Sequence, residues 1–329
     1  PTLYPDKTQE ERNEIYRQLI RDRWKEYRVN VPRERWQEYF DAILYEMDTV
    51  LKTDTADYFI VSHDFVKHYK ELGGQITFTG RGSAPSWVTN MLLGLSSIDR
   101  LKIPVTMYPD RFASVDRLKT SCPDIDNNVS DQPLAAKALS DIMGDWHSAQ
   151  MIAYGTMKRL SAWKMYCRAS NVDFEIANQI SDSLKRYELD VKHADEDEVD
   201  SIDVYDYVPQ EYHEQLRMSE KYLGMIDSVS PHPCAFLLSN GDIRREIGIF
   251  RLNAKNGKKG IIYAAFIDGA TADAYGYLKE DLLAVDVVKV NADIYKSIGI
   301  EQPPVPKLME MIDGDAKTWE MTSRSEERR

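Results

Sequence analysis

Apolar residues recur at near-helical spacing through the opening of the chain, with clear punctuation between the stripes. Thr8-Gln9-Glu10-Glu11 is a capping box ahead of Ile15, Leu19, Ile20, Trp24 and Tyr27, and predicts a helix. Pro32 ends that helix, and Trp36, Phe40, Ile43, Leu44, Met47 and Leu51 predict a second. The run 58–61 reads as a buried strand, and 65–72 as a helix stopped by Gly73-Gly74. A short strand at 75–78 and a helix at 87–95 follow. From 131 to 222 the pattern is mainly helical, with helices predicted at 135–143, 147–161, 174–187 and 209–225. Strand patterns return at 234–238, 246–252 and 261–267, the first two separated by a turn at Asn240-Gly241-Asp242. The chain shows no internal repeat. Two β regions with helices inserted between them predict an α+β protein.

The 329 residues, 43% of them hydrophobic, can bury a substantial core in two or three domains. No apolar run is long enough to span a membrane, and no secretory signal follows Pro1. Cys122, Cys167 and Cys234 are widely spaced and match no zinc pattern, so reduced thiols of the cytoplasm (a host's cytoplasm for a phage protein) are expected. The net charge of −12 argues at first against nucleic acid. Its distribution weakens that objection. Asp195, Glu196, Asp197, Glu198, Asp200, Asp203 and Asp206 form one acidic run, expected to be a solvated or mobile connector. Lys158, Arg159, Lys164 and Arg168 fall in a stretch without an acid, which fits either a nucleic-acid-binding face or a solvated basic one.

The candidate chemistry centres on Asp124 and Asp126. On a strand, residues at this spacing share a face, and two carboxylates held so close favour a divalent cation between them. A solvated strand end is the alternative. Upstream, Gly80-Arg81-Gly82-Ser83 lies between the predicted strand and helix. Backbone N–H groups, a helix N-terminus and a guanidinium there would cradle a phosphate; the alternative is an ordinary glycine-rich turn. Cradle and acid pair together point to a nucleoside triphosphate handled with Mg²⁺.

At this point the chain resembles the C-family replicative DNA polymerases, the α subunits of bacterial DNA polymerase III. The resemblance runs in order through Tyr58-Phe59-Ile60-Val61, Asp64-Phe65, Gly80-Arg81-Gly82-Ser83, Asp110-Arg111-Phe112 and Pro123-Asp124-Ile125-Asp126. It continues through Ile152-Ala153-Tyr154-Gly155-Thr156-Met157 and closes with Gly276-Tyr277-Leu278-Lys279-Glu280-Asp281-Leu282-Leu283. It implies a palm of the polymerase-β nucleotidyltransferase type at 1–130 and 229–295, a mixed sheet interrupted by an inserted helical thumb at 131–228, with the start of truncated or absent fingers at 296–329. It implies template-directed DNA synthesis with two Mg²⁺ ions, for which Mn²⁺ can substitute, acting on dNTP and primer–template DNA.

By the same resemblance Asp124 and Asp126 are the first two metal-binding acids, and a Gly-x-x-Lys-x-Asp pattern places the third at Asp281. Asp286 is the runner-up, because Val285-Asp286-Val287-Val288 also reads as a strand. Lys279 resembles a lysine near the reacting phosphates. Gly80, Arg81, Gly82, Ser83, Arg111 and Arg117 match residues implied to grip the triphosphate. Lys158, Arg159, Lys164 and Arg168 fit a thumb helix along the primer–template backbone. His232 aligns loosely with a family histidine and is expected to be a structural, hydrogen-bonded one.

The chain also departs from the family. No segment resembles the phosphoesterase-like domain with which members usually begin. Ala84-Pro85-Ser86-Trp87 is bulkier than the small residues expected after the cradle, and the loop from Arg111 to Pro123 is longer than usual. The stretch 312–320 resembles the entry to the fingers, and the sequence ends at Arg329. The expectation is therefore a palm and thumb, with a second chain carrying fingers and clamp-binding parts as a candidate partner. A catalytically incomplete DNA- or nucleotide-binding module of a split or degenerate polymerase is the alternative. A nucleotidyltransferase acting on something other than a primer is a third reading.

Overall fold

Thr8 caps α1 (Gln9–Tyr27) as the capping box predicts, its hydroxyl accepting from the Glu11 N–H while the Glu11 carboxylate accepts from the Thr8 N–H at 2.7 Å. The structure, a computed structural model, describes residues 1–77, 82–118, 122–195, 198–253, 260–300, 303, 305–312, 314–317 and 320. Next come α2 (Trp36–Lys52), α3 (Ala56–Glu71), α4 (Val88–Leu92), α5 (Val115–Leu118), β1 (Asp126–Val129) and α6 (Gln132–Met143). After β2 (Ser148–Thr156), α7 (Arg159–Ala169), α8 (Phe174–His193) and α9 (His213–Glu220), the chain forms the long strand β3 (Ile226–Leu238). It ends with α10 (Ile243–Glu246), β4 (Ile249–Asn253), β5 (Ile261–Ala265), α11 (Gly269–Ala274), β6 (Leu278–Ala284), α12 (Asp286–Ser297) and α13 (Val305–Ile312).

Two compact units result, one of Pro1–Ile152 with Pro231–Arg329 and one of Ala153–Ser230. The strands form a mixed sheet in the order β1-β6-β3-β2-β5-β4. β1 runs parallel to β6 and β2 parallel to β5, whereas β3 and β4 run antiparallel to their partners β6 and β5. Side-chain alternation assigns the faces. Phe236, Leu238, Leu278 and Leu282 enter the large core with α1, α2, α3, α4 and α6, where Trp87 stacks on Phe59 at 5.8 Å and meets Phe112 edge-on at 5.0 Å. Ala235 and Leu237 join a second core on the other face with Met151, Ala265, Ile243 of α10 and Ala272 of α11. Lys279 and Asp281 alternate with Leu278 and Leu282, and so belong to the face opposite α3 and α6.

The second unit has its own core, built from Trp163, Cys167, Ile180, Leu184, Val204, Val208 and Leu216. The Trp163 indole N–H donates to the Ala177 carbonyl at 3.0 Å, tying α7 to α8. No helix among the described residues is long and apolar enough to cross a membrane.

Several elements differ from the sequence reading, each for a physical reason. The run 58–61 lies inside α3, not in a strand; Tyr58, Phe59, Ile60 and Val61 are all buried, and a short run buried all round has no period to distinguish helix from strand. The predicted helix 147–161 divides into β2 and the start of α7, because the sheet claims Met151 and Ile152 for burial. Helix α2 turns most of its expected stripe inward, with Ile43 buried and Trp36, Met47 and Leu51 packed on the core, but Phe40 and Leu44 are exposed and Tyr39, Glu46 and Val50 are buried in their place. Only Asp126 of the acid pair lies on β1; Asp124 precedes the strand. Asp286 opens α12 and is not on a strand. The acidic connector is not merely solvated, since Val204 and Val208 bury into the second unit's core; its Glu196 and Asp197 lie outside the described residues.

Candidate active site

The parallel pairing of β1 with β6 builds the site. Its register sets Asp126 directly opposite Asp281, Asn127 opposite Leu282 and Asn128 opposite Leu283. Two acids distant in sequence thus become backbone neighbours on one sheet face. Tyr58 of α3 fixes the approach to β1. Its buried hydroxyl donates to the Pro123 carbonyl at 2.9 Å and accepts from the Ile125 N–H at 3.1 Å, pinning the residues on both sides of Asp124. Burial raises the Tyr58 phenol well above its ordinary value, so the hydroxyl stays protonated and can donate.

Lys279 reaches across from β6, its Nζ 3.4 Å from Asp124 Oδ1 and 3.5 Å from Asp273 Oδ2 on α11. Partial burial works to lower the lysine's pKa, but Asp124 and Asp273 outweigh it and hold the ammonium above its usual value. Asp281 shifts upward, first through burial and then through the negative charge of Asp124, with Asp126 adding to it. This carboxyl therefore lacks a full complement of positive charge. His232 stands nearby with Nδ1 accepting from the Ala235 N–H at 2.9 Å and the Cys234 N–H at 3.3 Å, and burial lowers its pKa. It is a neutral, backbone-bonded histidine, as the sequence reading expects.

Gly82 approaches the acids from the other side. Its φ is +65°, and a Cβ at this position would lie 2.6 Å from Asp126 Oδ2, so no other residue fits against that carboxylate without movement. Ser83 follows and leads into a 3₁₀ turn, Ala84–Ser86. Gly80 and Arg81 lie outside the described residues. The expected helix N-terminus is not open to a ligand. Both first amides of α4 are taken by the buried Glu46, which accepts from the Val88 N–H at 3.0 Å and the Thr89 N–H at 2.7 Å, and Arg100 Nη2 donates to it at 3.1 Å. The bulky run Ala84-Pro85-Ser86-Trp87 buries into the core and carries α4 inward.

The two loop arginines meet each other. Arg117 of α5 donates to the Arg111 carbonyl at 2.9 Å, and both side chains are exposed. Within the second unit, Lys164 and Arg168 are exposed one turn apart on α7, and Lys158 is exposed just before it. Arg159 is committed elsewhere, paired with Glu220 at 3.2 Å and stacked over Tyr187 at 4.9 Å.

Under the acids lies a group that sequence reasoning passes over. Glu280, between Lys279 and Asp281, points into the large core and is wholly buried. Ser62 of α3 bonds to its Oε1, and Asn127 Nδ2 lies 3.4 Å from Oε2. Burial pushes this carboxyl up to about 8. The signal was present: an acid at the alternation position shared with Leu278 and Leu282 faces the core. Asp273 was likewise unmarked, and no sequence pattern singles it out.

Among the described residues, no group of three or more Asp, Glu, His or Cys side chains is placed to hold a metal ion. The donor chemistry nonetheless fits Mg²⁺. Asp124, Asp126 and Asp281 offer oxygen ligands only, and burial, followed by the charges of Asp124 and Asp126, raises the Asp281 pKa. In this arrangement the Lys279 ammonium is the cation at Asp124.

The sequence profile of the bacterial DNA polymerase III alpha NTPase domain matches residues 13–284. The chain belongs to this family. The DNA polymerase III subunit alpha of Mycobacterium leprae is 27% identical over 305 residues, which take in 88% of this chain and 25% of the relative. That of Bacillus subtilis is 25% identical over 295 residues, with the same 88% and 25% covered. That of Saccharopolyspora erythraea is 27% identical over 328 residues, 94% of this chain and 26% of the relative. The chain thus spans about a quarter of the length of these curated relatives.

Proposed function

We propose that the chain carries the palm and thumb of a template-directed DNA polymerase, transferring a nucleotide from dNTP to a primer 3′-hydroxyl. In this reading the palm is a polymerase-β-type nucleotidyltransferase sheet from 1–130 and 229–295, which also takes α6 and β2 from the expected thumb 131–228; the rest of that stretch is the thumb, and 296–329 begins the fingers. The observation that carries the reading is the β1–β6 register, with Asp126 against Asp281 and Lys279 beside Asp124. Asp124, Asp126 and Asp281 would hold two Mg²⁺ ions, with Mn²⁺ able to substitute. Bound there, such ions lower the pKa of the attacking hydroxyl and neutralise the leaving pyrophosphate. Tyr58 holds the backbone around Asp124, and the missing side chain of Gly82 lets its backbone approach the Asp126 carboxylate closely. Arg81, Arg111 and Arg117 offer planar guanidinium groups suited to phosphate oxygens. Lys158, Lys164 and Arg168 fit contacts to the primer–template backbone, which predicts salt-sensitive and sequence-indifferent binding.

Primer extension with Asp124→Asn, alongside Mn²⁺ binding by the same variant, tests the reading. Loss of both is expected; unchanged turnover or unchanged Mn²⁺ affinity overturns it. A second reading, a DNA- or nucleotide-binding module without catalysis of its own, draws support from the absence of a ready metal group among the described residues. Saturable nucleotide and DNA binding without extension by the wild-type chain would favour it.

A further inference from the structure

Lys279 stands between two carboxylates of different kinds. Asp124 is one of the acids assigned to the metal, whereas Asp273 lies on the short helix α11 before β6. The distances, 3.4 and 3.5 Å, are nearly equal, and both acids are about half exposed. A cavity of about 80 Å³, lined by Tyr58, Cys122, Asp124, Asp273, Tyr277 and Lys279, gives the ammonium room to move between them. A divalent cation at Asp124 and an ammonium within 4 Å of the same oxygen repel each other, so the lysine must leave for the ion to bind. Leaving with no partner would strand a half-buried cation.

We propose that Asp273 is a positioning residue that receives Lys279 when a divalent cation takes Asp124. In the structure the lysine bridges both acids; with a divalent cation at Asp124 it pairs with Asp273 alone. Asp273 thereby lowers the cost of clearing the site and fixes where the ammonium waits, beside the position assigned to the reacting phosphates. The inference rests on the assignment of Asp124 as a metal ligand.

The test is Mn²⁺ binding, read from the electron paramagnetic resonance signal of the free aqua ion, with no nucleotide or DNA present. Asp273→Asn should weaken Mn²⁺ binding roughly two- to fivefold, the range of a half-exposed ion pair. Asp273→Glu should restore most of the loss, and Lys279→Met should tighten binding by removing the competitor. In Asp273→Asn/Lys279→Met the effect of the first change should vanish, giving the affinity of Lys279→Met alone. An additive double variant would mean that Asp273 acts on the ion directly, and would overturn the proposal. So would wild-type affinity in Asp273→Asn. If Asp124→Asn abolishes binding while that coupling is absent, only the role of Asp273 falls. If Asp124→Asn binds Mn²⁺ as the wild type does, the metal-site assignment falls with it.

Discussion

Replacing Glu280 with glutamine should stabilise the protein at alkaline pH and do little at acidic pH. Ser62 Oγ lies 3.0 Å from the Tyr58 carbonyl and also contacts Glu280 Oε1, yet it has one proton. Both contacts are satisfied when Ser62 donates to the carbonyl and a protonated Glu280 donates to Ser62. The neutral acid therefore fits the site, and its pKa rises from 4.5 to about 8, chiefly through burial. A carboxyl raised in the folded state binds its proton more tightly there than in the unfolded chain. Its stabilising contribution is complete below pH 4.5 and is lost as pH rises through about 8. At about 1.4 kcal/mol per pH unit, the loss between about pH 5 and pH 8.5 comes to about 4 kcal/mol. Glu280→Gln keeps the shape and one donor but cannot ionise, so its stability should lack this slope. Urea unfolding of both proteins in chelator, followed by circular dichroism at the two pH values, checks the difference. A stability gap between variant and wild type that does not change with pH would refute the reasoning.

Two further changes probe the supports of the site. Gly82→Ala places a methyl 2.6 Å from Asp126 Oδ2 and holds a side chain at positive φ, which should cost about 1 kcal/mol in stability and weaken Mn²⁺ binding by displacing that carboxylate. Thermal unfolding and Mn²⁺ titration measure both, and wild-type Mn²⁺ affinity would show that Asp126 can move aside. Glu46→Ala leaves the Val88 and Thr89 amides and a nearly buried Arg100 without their acceptor, and should destabilise by about 3–5 kcal/mol. A loss below about 1 kcal/mol on urea unfolding would mean that water replaces the carboxylate.

The features legible in the sequence are those with local signatures. The capping box starts α1 and Gly73 stops α3 with φ +88°, whereas Lys279 and Asp281 stand out only through the family resemblance. What the sequence hides is tertiary. Residues 148–156 contain Gln, Met and Ala, which favour a helix, yet they become β2 because a place in the sheet outweighs propensity. Glu46 and Glu280 are acids, and an acid read alone defaults to the surface; only the packed fold reveals that one binds helix amides and the other a serine inside the core. Asp273 acquires meaning solely from the lysine it faces.

The pairing of β1 with β6 also dictates when a site can exist. Asn127 and Glu280, joined across those strands, lie 153 residues apart along the chain. At the usual ~5–20 residues per second of translation, the ribosome needs ~8–30 s to pass from one to the other. Throughout that interval β1 lacks its partner β6, and the register that opposes Asp126 to Asp281 cannot form. Residues 153–230, which build their own core, are complete before β6 emerges and can condense while β1 waits. Synthesis of the chain thus acts as a timer: Asp126 and Asp281 remain separate until β6 has left the ribosome.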